Sequence, residues 1–78
     1  MTGAQLVREA TMDGRRVALL RCYDGDGVTT VEVEVVPDGS ETAVNCGPYR
    51  FATAHEAFRF MQEALLALQY LGCSVVSA

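Results

Sequence analysis

His55 is the single histidine of the chain, and it stands in Thr53-Ala54-His55-Glu56. A histidine titrates near neutral pH and can shuttle protons or ligate a metal. Either task needs a second group, an orienting carboxylate or a further ligand, at a fixed place. The spacing supplies none. Thr53 and Glu56 instead have the spacing of a capping box, which engages both side chains at a helix start. Cys22, Cys46 and Cys73 are odd in number, far apart, and form no CxxC pair. Nothing brings one of them to His55 as a nucleophile–base pair. They read as small buried hydrophobes kept reduced in a cytosolic compartment. Cys22 and Cys46 are expected on the helix-facing side of the sheet.

Two acidic patterns invite chemistry. Asp24-Gly25-Asp26-Gly27 starts like a calcium loop, but positions six and twelve hold Thr29 and Val35 where glycine and glutamate are required. It reads as a hairpin turn. Glu32 and Glu34 share one face of a strand, and paired carboxylates do acid–base work only in a pocket that separates their pKa values. One wet strand face accounts for them. No catalytic residue, cofactor or metal ligand is assigned. A small enzyme using His55 stands as the furthest alternative.

The elements that would hold these residues are legible from punctuation. Asp13-Gly14, Asp24–Gly27 and Pro37-Asp38-Gly39-Ser40 are turn sequences about a dozen residues apart. Between them lie β-branched and apolar segments, giving strands at about 5–12, 15–23, 28–36 and 41–51. Val31, Val33 and Val35 alternate with Glu32 and Glu34. Pairing Asp24 with Gly27 sets Leu20 against Val31 and Ala18 against Val33. Pairing Val36 with Glu41 sets Val44 against Val33 and Cys46 against Val31. Both registers put apolar residues on one face. The first strand alternates poorly and suits an edge. Gly47-Pro48 interrupts the fourth, where a bulge or strand end is expected.

After Thr53, helical spacing aligns Ala57, Met61, Ala64, Leu65, Leu68 and Leu71, flanked by Phe58 and Phe60. The helix spans about 54–71 and stops at Gly72. A short strand at 73–77 is possible. The expected fold is α+β: a four-stranded antiparallel meander packed by one C-terminal amphipathic helix, ββββα or ββββαβ, in a single domain. The helix is expected to cover the face of Val31, Val33 and Val44.

Composition narrows the function classes. The chain has 78 residues, net charge -4, six arginines and no lysine. Absence of lysine with much Ala, Val and Gly suggests a GC-rich, bacterial genome. No apolar run approaches the ~20 residues that span a bilayer. Met1–Gln5 lacks the layout of a secretory signal. The expectation is a cytoplasmic protein without membrane contact. Scattered arginines argue against nucleic acid, whose binding rests on clustered cations. In outline, four strands followed by a helix resemble single-stranded-DNA binders that use a curved sheet as a platform; no motif carries the likeness. Such a binder, or an acidic protein occupying a partner's nucleic-acid-binding surface, is the alternative function.

The leading expectation is a non-catalytic protein-binding module that forms a homodimer. One helix covers one sheet face, yet apolar residues remain. They are Val17, Leu19, Tyr23 and Val28 on the opposite face, and Leu66 and Tyr70 on the helix flank.

Overall fold

The computed structural model describes residues 6–37 and 42–77. In chain order they form β1 (Leu6–Met12), β2 (Arg15–Gly25), β3 (Val28–Val35), β4 (Val44–Phe51), α1 (Ala54–Tyr70) and β5 (Ser74–Ser77). The strands make one antiparallel sheet in the order β4-β3-β2-β1-β5. The architecture is ββββαβ, an α+β sheet packed by one C-terminal helix. The proposed turn at Asp38–Ser40 and the pairing of Glu41 lie outside the described residues.

Two-residue turns set the hairpins. Asp13 and Gly14 have φ of 55° and 77°, Asp26 and Gly27 of 55° and 79°. Positive φ at both central positions twists the chain as the flanking strands require. The second turn therefore uses Asp26-Gly27, pairs Gly25 with Val28, and sets Leu20 against Val33 and Cys22 against Val31. In β4, Cys46 lies opposite Val33 and Val44 opposite Val35. Both registers differ by two residues from those expected. An even slip keeps every side chain on its face, so the apolar face survives the correction.

Two bulges interrupt the ladder. Ala10 pairs with Ala18 and Thr11 with Arg16, which leaves Val17 as an extra residue of β2. Val31 pairs with Tyr49 and Val33 with Cys46, which sets Gly47 and Pro48 together against Glu32. Gly47 has φ of +92°, and a Cβ there would lie 2.9 Å from the Tyr49 backbone nitrogen. Only glycine fits this bend.

β1 is not an edge. β5 pairs with it from Thr11 opposite Ser74 to Arg8 opposite Ser77, so β1 lies between β2 and β5. The chain is brought back by the end of α1. There Cys73 N–H donates to Leu68 O and Gly72 N–H to Gln69 O, each at 3.0 Å, with Gly72 at φ +99°. This pair of bonds is the Schellman stop. At the other end Glu56 N–H donates to Thr53 Oγ1 at 3.2 Å. The Glu56 carboxylate accepts from the Thr53 hydroxyl.

α1 lies on the face of Ala18, Leu20, Cys22 and Val31. Ala57 and Met61 are buried there, with Ala64, Leu65, Leu68 and Phe60 packed beside them. Phe60 also meets the rings of Tyr49 and Phe51, at 5.0 and 5.4 Å between centroids. Two expected members of this layer fall outside it. Leu71 is past the last helical residue and 72% exposed; Val44, on the edge strand, is 49% exposed.

Candidate functional site

The outer sheet face is built from charge. Arg21 stands between two carboxylates of β3, with NH1 3.7 Å from Glu32 Oε1 and NH2 3.1 Å from Glu34 Oε2. The Tyr23 hydroxyl donates to Glu32 Oε2 at 3.0 Å. This bond raises the Tyr23 pKa above its ordinary value, since losing the proton would set phenolate against carboxylate. Arg16 pairs with Glu9 beside them. Leu19 is flanked by Glu9 on β1 and Glu34 on β3, whose side chains leave it 8% exposed.

These contacts correct the apolar patch expected there. Val17, the extra residue of the β2 bulge, packs against the helix-side core and separates from Leu19 and Tyr23. Tyr23 and Val28 are half-buried and Leu19 is covered. The face thus carries a charge ladder over one sealed leucine. Tyr49 and Phe51 turn inward onto Phe60, which leaves Tyr23 as the aromatic that the described strands present on the outer face.

The outer side of α1 is different. Leu66 is 53% and Tyr70 90% exposed. Four residues apart on the helix, they are neighbours on one ridge. Leu71 follows them.

Hollows lie at the rims among the described residues. An apolar one of about 530 Å³ runs from Leu68 and Leu71 to Val17, Val35 and Val36, at the end of the sheet where α1 stops. A second, of about 360 Å³, is lined by Leu6, Arg8, Phe58, Met61, Gln62 and Leu65. A third, of about 530 Å³, adjoins it through Phe58 and Gln62 and is bounded by His55 and Arg59. Sequence reasoning missed the second. Leu6 and Arg8 share a face of β1, yet only the diagonal of α1 brings Phe58 over them.

His55 is exposed on the first turn of α1, beside Phe58, Arg59 and Gln62. Among the described residues, no three of His, Cys, Asp and Glu gather where they could hold a metal ion. Asp24, the first acid of the calcium-like sequence, accepts a 2.6 Å hydrogen bond from Thr29 across the strands. Cys22 and Cys73 are buried. Burial raises the Cys22 thiol pKa, and the Asp24 charge adds to it, so this sulfur resists becoming a thiolate. Cys46 shares the helix side with Cys22 but is only half-buried, because its strand is the sheet edge. Among the described residues no helix is long and apolar enough to cross a membrane.

In comparison with known proteins, the chain matches no family model, no curated protein and no solved structure.

Proposed function

We propose that the chain is a non-catalytic protein-binding module that pairs with a second copy of itself through the outer ridge of α1, centred on Leu66 and Tyr70. The observation that carries this reading is the exposure of those two side chains, 53% and 90%, on adjacent turns of one helix. Exposed apolar area costs about 25 cal/mol per Å². Tyrosine is among the residues that protein interfaces favour. A two-fold pairing places the same ridge on both partners, and ridges spaced by four residues interlock at a crossing angle near -50°.

Of the two surfaces open to a homodimer, the sheet face has lost its supply: Leu19 is sealed and Val17 faces the core. Its carboxylates would also have to meet their copies, and Arg21 is already engaged with two of them.

Sedimentation velocity on wild type, Leu66→Glu and Leu19→Ser tests the reading, with circular dichroism to verify folding. The expected result is a dimer at about 100 μM for wild type and Leu19→Ser, and a monomer for Leu66→Glu; an affinity in the micromolar range corresponds to about 8 kcal/mol. A monomeric wild type at that concentration ends the proposal. A folded Leu19→Ser monomer beside a dimeric Leu66→Glu would move the interface to the sheet.

A further inference from the structure

The geometry points to a peptide-binding groove, separate from the Leu66 ridge, that takes an acidic segment of a partner protein carrying one large apolar side chain. The groove is formed where α1 passes over the start of β1. Its floor is apolar: Leu6 from β1, with Phe58, Met61 and Leu65 from α1, around about 360 Å³. Phe58 is 48% exposed, so half of an aromatic ring is available to a ligand. An inserted Phe or Leu would find three or four apolar partners there, the usual design of a peptide anchor.

The charge around this floor is what selects the occupant. The chain as a whole is acidic, at -4. The groove and the hollow that continues it past Phe58 and Gln62 invert that balance. Among the described residues, their charged or titratable lining side chains are Arg8, Arg59 and His55, and no carboxylate lines either. Arg8 lines the groove and donates from Nη1 to Val7 O at 2.9 Å. Among the described residues it has no ion pair. Arg59 has one, with Glu63, at 3.7 Å between exposed side chains, a contact too weak in water to hold it from another acid. An acidic peptide would therefore gain two guanidinium partners, with the binding salt-dependent as exposed charge pairs require.

A second copy of this chain is a poorer occupant. Its Phe51 and Phe60 are already packed on one another, Phe60 also on Tyr49, and its Phe58 is part of the groove wall itself.

The probe is a fluorescein-labelled peptide Glu-Asp-Glu-Phe-Glu-Asp, read by fluorescence anisotropy against the full chain. Two control peptides replace Phe with Gly, or every acid with Lys. Protein variants are Arg8→Glu, Phe58→Ala and the ridge variant Leu66→Glu, each checked for folding by its melting curve. The expected result is saturable binding of the Phe probe, weakened roughly tenfold or more by Arg8→Glu and by Phe58→Ala. Both control peptides should bind weaker than the probe, and Leu66→Glu should bind it as wild type does, whatever its oligomeric state. Absence of binding up to about 1 mM overturns the inference, as does equal binding by folded Arg8→Glu. Loss of probe binding in Leu66→Glu alone would place the site on the ridge and also overturn it.

Discussion

Tyr23 shows how a side chain on an open sheet face acquires a defined role. Its ring is half-buried, and its hydroxyl is tied to Glu32, which Arg21 also holds. The bond to a carboxylate needs the phenol proton, so the folded chain retains that proton longer than an unfolded one does. The sign follows. The folded-state pKa is raised, so the bond's contribution to stability is complete below the unfolded tyrosine value of about 10 and is lost as pH rises toward the folded one. The tyrosinate absorbance of wild type minus that of Tyr23→Phe isolates this titration. Its midpoint should lie above the ordinary tyrosine value, and Glu32→Gln should bring it down. A midpoint unmoved by Glu32→Gln would mean that the bond is absent in solution. The hydrogen bond itself was not legible in the sequence. Tyr23 and Glu32 are nine apart, and only the exact register of β2 on β3 sets Tyr23 beside Thr30, diagonal to Glu32.

At the scale of elements, the boundaries were readable because they are written in local chemistry. Thr53 caps α1 through its hydroxyl. Thr53→Ala should therefore cost about 1 kcal/mol, and in a domain of this size lower the melting temperature by roughly 4–8 °C. An unchanged melting temperature would show the helix starting elsewhere. Registers were readable only to within an even number of residues. Asp24-Gly25-Asp26-Gly27 contains two Asp-Gly pairs, and the alternation of Val31, Val33 and Val35 fits either turn equally well. Backbone twist makes the choice, in favour of the tight turn at Asp26-Gly27. The bulge at Val17 left no trace in the sequence, since valine belongs to any strand. It removed one member of the expected outer patch. The interior place of β1 was hidden for another reason. Arg8 breaks its alternation because the inner face at that point borders a groove instead of the core. The four residues that cover its far side come from the other end of the chain.

For the whole molecule, the division of apolar residues between inside and outside decides both stability and association. The largest fully buried side chains are Leu20, Met61 and Val31, while Leu66, Tyr70 and Leu71 stand in solvent. A sheet with one helix on one face has no second core to give them. The candidate site was legible to that extent: surplus apolar residues on α1 were visible in the sequence, but which of them stay exposed depended on where the helix ends. Such a core leaves a narrow margin. At 0.05–0.15 kcal/mol per residue, a chain of this length is stable by roughly 4–12 kcal/mol. Met61 is 2% exposed, beneath the centre of α1. Met61→Ala should cost about 2–5 kcal/mol, because the cavity it leaves cannot collapse against a rigid sheet. That is a large fraction of the total. Leu71→Ala removes as many carbon atoms or more from a residue 72% exposed, and should cost no more than about 0.5 kcal/mol. Urea midpoints measured at dilute concentration, where association is weak, compare the two directly. If Leu71→Ala destabilised the chain as much as Met61→Ala, the end of α1 would have to be clamped into the apolar hollow beside Val17 and Val36, and the core would extend farther than the packing of Met61 on Leu20 and Val31 implies.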